Sequence, residues 1–279
     1  MNVAVIGLGQ MGGPMADNVV RAGHDVRVHD VDPGRCAPRV DLGAVAATSP
    51  ADAARGADVV SIVVFDDAQL VEVLTGADGV LAVLEPGAVV AVHTTSTLPT
   101  IRAMAEAAAT RGVAVIDAGI SGGETGAVAG TLLLLVGGET NAVDRARPVL
   151  DSFAKEVVHA GPLGTGMALK LARNAIGYGW MAVVAEAKDM AVAAGVDPSL
   201  IRHAVAETGA FEQALVPLGL GGPGPWPADD PGRPYFEHVA DLADKDLHHA
   251  QALAAEVDTT MPVLDETRRT FRRVLRLDD

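Results

Sequence analysis

Residues 3–6 (Val-Ala-Val-Ile) form a short apolar run that reads as a fully buried strand, and Gly7-Leu-Gly-Gln-Met-Gly12 follows it without a break. Residues 11–22 then carry a helical pattern closed by Gly23, and residues 25–29 read as a second strand ending in Asp30. A GxGxxG motif alone is a weak signal. Set between a strand and a helix, in a unit of this size, it commits the chain to a βαβ start. Gly7 permits the tight turn, Gly9 lets an anion approach the backbone, and Gly12 lets helix and strand pack closely. The N–H groups at the helix start, from Gln10 and Met11 onward, then face that anion. A glycine-rich turn with no ligand is the competing reading. The acid at the tip of the second strand favours a dinucleotide, because the Asp30 carboxylate can accept hydrogen bonds from the ribose hydroxyls. The same carboxylate repels a 2′-phosphate, so NAD is expected over NADP, with nearby Arg35 keeping NADP open.

The alternation continues. Residues 59–64, 88–92, 114–118 and 132–136 read as strands, with helices at 50–55, from 68, and at 99–111. Repeated βα units describe a doubly wound, mostly parallel sheet of Rossmann type. Hydrophobic residues make up 49% of the chain and aromatics only 3%, so Ala, Val and Leu must build the core. That suits parallel strands covered by alanine-rich helices. Ligands of such sheets sit at the carboxyl ends of strands, where Val64, Phe65, Thr95 and the loop from Gly119 fall. Thr94 and Thr95 also read as caps of the next helix. Between 117 and 130 lie five glycines and a serine, a loop whose backbone can approach a small anion. A carboxylate could accept from Ser121 and from the Gly122 and Gly123 amides.

From 164 to 195 runs one alanine-rich helical pattern of some thirty residues, with Lys170 and Asn174 one turn apart on the same face. Strand signals end near His159, and the helices continue at 198–207, 211–218, 236–255 and 261–276. The boundary is therefore expected at 161/162, giving a dinucleotide-binding domain (1–161) and an all-helical substrate and oligomerisation domain (162–279). Residues 219–234 are too rich in glycine and proline for a helix and are expected to form an exposed loop. A long apolar helix in so small a domain carries more apolar surface than one copy covers, so a homodimer or homotetramer is expected.

The net charge of −15 argues against a nucleic-acid or anionic-membrane partner. Cys36 is the single cysteine, which excludes an intramolecular disulfide and a multi-cysteine metal site, and no metal ligands are assigned. No stretch reads as a signal peptide or a bilayer span, so a cytoplasmic protein is expected.

Four stretches in order resemble the β-hydroxyacid dehydrogenase family, the group of 3-hydroxyisobutyrate dehydrogenase and tartronate semialdehyde reductase. They are Gly7-Leu-Gly-Gln-Met-Gly-Gly-Pro-Met-Ala16, Asp117-Ala-Gly-Ile-Ser-Gly-Gly123, the trio Gly166, Lys170 and Asn174, and Lys245-Asp246-Leu247. The resemblance implies an NAD-dependent oxidoreductase interconverting a small 3-hydroxy acid and its 3-oxo acid or semialdehyde. It implies Lys170 as acid/base, Asn174 beside it on the substrate, and Ser121, Gly122 and Gly123 on the substrate carboxylate. Thr95 and Lys245 would contact the cofactor, with Asp246 supporting the site. Two departures stand out: Gly119 replaces the family's usual proline, which is expected to loosen the loop, and His238 stands where many relatives carry an aromatic residue near the substrate.

A lysine serves as a base at neutral pH only if burial or a nearby cation lowers its pKa. Lys170 has the burial, and Lys245 is expected to be the cation. Arg268, Arg269, Arg272 and Arg273 share a helix and read as a solvated basic face rather than a phosphate site, which favours a three- or four-carbon acid. The alternatives are an NADPH-dependent semialdehyde, glyoxylate or imine reductase, and a non-catalytic dinucleotide-binding module.

Overall fold

Strands buried on both faces need apolar residues at every position rather than at alternate ones. The strands Val59–Ile62 and Val89–Val92 are buried throughout on this account. The computed structural model describes residues 1–220 and 224–278. It contains one eight-stranded sheet made of β1 (Asn2–Ile6), β2 (Asp25–His29), β3 (Val45–Ala46), β4 (Val59–Ile62), β5 (Val89–Val92), β6 (Ala114–Ser121), β7 (Leu132–Gly137) and β8 (Ala154–Gly161). The spatial order is β3-β2-β1-β4-β5-β6-β7-β8. All pairs are parallel except β6 with β7. The order reverses between β1 and β4, which opens a crevice at their carboxyl ends.

Helices cover both faces: α1 (Gly12–Arg21), α2 (Ala37–Val40), α3 (Pro50–Ala54), α4 (Asp67–Thr75), α5 (Leu98–Ala109), α6 (Gly123–Ala129) and α7 (Thr140–Leu150). Side chains of β1 alternate between two core layers. Val3 and Val5 join Met15, Val19 and Phe153 on one face. Ala4 and Ile6 join Leu70, Leu74 and Met104 on the other. The α/β reading is therefore correct, with a mostly parallel sheet.

Among the segments that differ from the sequence expectation, two lie in the sheet; outside it, the helix expected at 211–218 covers only Ala210–Gln213, and the loop expected at 219–234 ends where a helix begins at Arg233. The glycine stretch at 117–130 is not one loop: antiparallel pairing with β7, Gly119 opposite Leu135 and Ser121 opposite Leu133, extends β6 to Ser121, and α6 follows from Gly123. Its glycines hid a helix. The strand β8 was also unsignalled, because it lies at the edge of the sheet and carries Lys155 and Glu156.

The chain falls into two compact units, Met1–Asn174 and Ala175–Asp279. The 29-residue helix α8 (Thr165–Ala193) begins in the first. Its start is fixed by Asp117, a fully buried carboxylate on β6 that accepts from the Gly164 and Met167 amides, each at 2.6 Å. Such charge-assisted bonds are the strong class.

The second unit holds the rest of α8 with α9 (Pro198–Glu207), α10 (Ala210–Gln213), α11 (Arg233–Glu256) and α12 (Pro262–Val274). Glu186 of α8 accepts from the Val263 and Leu264 amides and so caps α12. Part of the proline-rich stretch 219–234, residues 221–223, lies outside the described residues. Trp226 within that stretch stacks on Phe236 and donates to the Leu275 carbonyl at 3.0 Å. Among the described residues no helix is long and apolar enough to cross a membrane.

One buried polar group ties three strands together. His93, just beyond β5, lies 2.8 Å through Nδ1 from the Ala118 carbonyl and 3.3 Å through Nε2 from the Ser61 hydroxyl. A carbonyl can only accept, so Nδ1 carries the proton and Nε2 accepts from Ser61. Burial drives the His93 pKa down from 6.5 to about 4, against the pull of the Ala118 carbonyl and with help from the Lys170 charge. Between these values the unfolded chain binds a proton that the native protein refuses, so stability falls as the pH drops through this window. The loss amounts to about 3 kcal/mol at about 1.36 kcal/mol per unit. Urea unfolding between pH 6.5 and 4 should therefore show a shallower pH slope in His93→Gln than in the parent; equal slopes would contradict it.

Candidate active site

The crevice at the sheet's reversal is a cleft of about 720 Å³ lined by Gly7, Gly9, Gln10, Met11 and Gly12, by His29 and Asp30 at the end of β2, and by Val63, Val64 and Phe65 beyond β4. Gly7 has φ +88°, and a Cβ there would run into the Val63 carbonyl. A Cβ at Gly12 would overlap the Gly7 carbonyl oxygen. Only glycine closes this turn so tightly against β4. No side chain caps α1; the Gly13 amide already donates to the Gly9 carbonyl at 3.0 Å and Pro14 has no N–H, so the amides ahead of them, from Gln10 to Gly12, are the ones left for phosphate oxygens. This glycine cradle fits a dinucleotide.

Asp30 is buried at the base of the turn. Its carboxylate accepts from the Leu8 amide at 2.6 Å and the Asp32 amide at 2.9 Å, with Arg35 Nη1 at 3.7 Å. The carboxylate thus orders the glycine turn itself. Phe65 is 87% exposed at the rim of the cleft, with its amide donating to Gln69. The Val64 amide donates to Thr94 Oγ1 at 3.1 Å, which anchors this wall to the segment after β5. The cap of α5 is Thr97, not Thr94 or Thr95. Thr94 is buried under Val64, and Thr95 is exposed outside the cleft lining.

The second cluster lies along β6. Lys170, 7% exposed, reaches from α8 to donate to the Ile120 carbonyl at 2.6 Å. Burial first, and the charge of Arg173 second, push its pKa below the usual lysine value. Within the first unit the cation acting on it is Arg173, three residues along the same helix; Lys245, the cation expected from sequence, lies in the second unit. The residue after Ile120 is Ser121, followed by Gly122 (φ +129°) and Gly123 (φ +63°) at the uncapped start of α6. Asn174, one turn beyond Lys170, accepts from Arg173 Nη1 at 3.3 Å. Lys170, Ser121, Gly122, Gly123 and Asn174 therefore all belong to the first unit. Lys245, Asp246 and His238 lie on α11 in the second, where Lys245 and Asp246 pair at 3.2 Å and His238 is exposed.

Sequence reasoning overlooked Arg173, His93 and the capping role of Asp117. Arg173 was readable from its i, i+3 spacing to Lys170. Asp117 was signalled as an acid inside an apolar strand run, and His93 as a polar residue closing another.

A nucleotide-binding sheet with a buried lysine held on its strand β6 fits an NAD(P)-dependent oxidoreductase. Residues 2–164 match the family model of the NAD binding domain of 6-phosphogluconate dehydrogenase. The 3-hydroxyisobutyrate dehydrogenase of Pseudomonas aeruginosa is 37% identical over 276 residues, 97% of this chain and 91% of that protein. The solved structure of a putative oxidoreductase from Mycobacterium avium 104 covers 100% of this chain and 99% of that one, with a TM-score of 0.85 at 31% identity. An imine reductase from Myxococcus stipitatus in complex with NADP+ has a TM-score of 0.82, covering 99% and 94%; at 20% identity it shows a shared fold. The chain belongs to the β-hydroxyacid dehydrogenase family.

Proposed function

We propose that the protein interconverts a small 3-hydroxy acid and its 3-oxo acid or semialdehyde, with NAD as the preferred cofactor and Lys170 as acid/base. The observation that carries this reading is the adjacency along β6. The Lys170 ammonium is bound to the Ile120 carbonyl, and the next residues are Ser121, Gly122 and Gly123. A strand advances about 3.3 Å per residue, so amine and carboxylate site lie within the reach of a three-carbon acid.

In the oxidative direction the neutral Lys170 amine takes the substrate hydroxyl proton, and in reduction its ammonium returns it to the carbonyl oxygen. The nicotinamide, when bound, supplies the hydride acceptor or donor. Ser121 and the Gly122 and Gly123 amides hold the carboxylate, and Asn174 orients the hydroxyl. Gly7, Gly9, Gln10, Met11, Gly12, Asp30, Val64, Phe65 and Thr95 hold the dinucleotide, with Lys245 and Asp246 assigned there by family resemblance. In this reading residues 1–161 form the dinucleotide-binding domain, which also supplies Ser121, Gly122 and Gly123, and residues 162–279 form the helical substrate and oligomerisation domain. The preference for NAD rests on Asp30, which crowds a 2′-phosphate. The preference for a small acid is supported by the C-terminal arginines: Arg268 pairs with Asp244, Arg269 with Glu266 and Arg272 with Asp278.

The test is an NAD+-linked screen of 3-hydroxyisobutyrate, glycerate, serine and 3-hydroxypropionate, run beside a cyclic imine with NADPH. Turnover of at least one acid is expected, with higher kcat/KM for NAD+ than NADP+. Lys170→Ala should lose about 10²–10⁴-fold in kcat while still binding NADH. Reduction of the imine alone would favour an imine reductase, and a folded Lys170→Ala with near-parental turnover would remove the lysine's role. We also propose assembly through the helical unit, because Tyr178 and Met181 of α8 and Leu200 of α9 are 67%, 68% and 59% exposed. Light scattering should give a dimer or tetramer mass; a monomer mass at working concentration would contradict it.

A further inference from the structure

We infer that Gly119 is the positioning residue for Lys170: its bare backbone is the bed on which the lysine stem lies, and this fixes the ammonium on the Ile120 carbonyl. The inference rests on the acid/base reading of Lys170. A Cβ built at Gly119 would lie 2.8 Å from Cδ, 3.0 Å from Cβ and 3.4 Å from Cγ of Lys170. Its three nearest neighbours are thus all atoms of one side chain; the contact to Cδ is closer than carbon atoms tolerate, and the one to Cβ is tight enough to demand a shift.

Neither backbone can give way easily. β6 is paired with β7 at Gly119 and with β5 up to Asp117, and the His93 ring holds the Ala118 carbonyl in between. The start of α8 is held by the Asp117 carboxylate. Four consecutive residues of one strand therefore set the lysine: Asp117 places its helix, Ala118 is locked by His93, Gly119 admits its stem and Ile120 receives its Nζ. Any side chain at 119 leaves the stem as the part that moves, and the amine then leaves its buried niche.

The charged and titratable groups around Lys170 are Arg173 on its own helix, His93 beyond β5 and Asp117 on β6. His93 is neutral well below the range where Lys170 titrates, and both Asp117 oxygens are committed to amides. Burial is the main cause of the depressed Lys170 pKa, so a displaced amine titrates higher.

The experiment compares the parent, Gly119→Ala, Lys170→Ala and the double variant. Acetylation of Lys170 by acetic anhydride, followed by mass spectrometry as a function of pH, should show a midpoint raised by about one unit in Gly119→Ala, a tenfold loss of neutral amine at fixed pH. In urea, Gly119→Ala should lower the unfolding midpoint in the parent and have less effect, or none, in the Lys170→Ala background. An unchanged acetylation midpoint in a folded Gly119→Ala protein overturns the inference. Should Gly119→Ala fail to fold, recovery of folding in the double variant supports it and failure to recover overturns it. Failure of the acid/base reading itself appears separately, as turnover retained by Lys170→Ala, and leaves these results as they stand.

Discussion

A buried carboxylate on a central strand holds the start of the longest helix. Asp117 has no solvent exposure, and its charge is balanced by two amides of the turn that opens α8. Burying a carboxylate is costly unless its oxygens are satisfied. Satisfying them with the helix start makes strand and helix one unit. Lys170 is one turn beyond the second of those amides, so whatever fixes Asp117 also fixes the lysine. The other ties on β6, the His93 ring on Ala118 and the pairing with β7, then work on the same few residues.

The nucleotide cleft arises from a different constraint. The sheet reverses direction of growth between β1 and β4, and the glycine turn can close there only because Gly7 and Gly12 lack side chains. Asp30 belongs to this turn as much as to any ligand, since it takes the Leu8 amide. The carboxylate proposed to meet the ribose is therefore also the one that shapes the glycine turn. The proposed function uses both parts: a cradle for the cofactor, and a strand that carries a buried amine beside the proposed carboxylate site.

Much of this was legible in the chain. The run 3–6, the glycine turn and Asp30 locate the cleft, because βαβ signals are local. The helix α9 has the bounds read from sequence, because Asp197 caps it and Pro198 opens it. What was not legible depends on partners far along the chain. β6 extends to Ser121 only because β7 returns beside it, and nothing local marks that pairing. The edge strand β8 carries charge where a central strand would not. Gly119 looked like a loosened loop and is instead a strand residue under a lysine. That role is invisible until α8 is laid across it.

The central claim is that β6 holds the Lys170 amine in a niche where it loses its proton more readily than an ordinary lysine. The chain has four lysines, Lys155, Lys170, Lys188 and Lys245, so a ¹³Cε-lysine NMR spectrum of the whole protein resolves into few signals. The signal absent from Lys170→Ala identifies the residue. The account predicts that this signal titrates below the ordinary lysine value of about 10.4. A Lys170 signal that titrates at or above that value would contradict it.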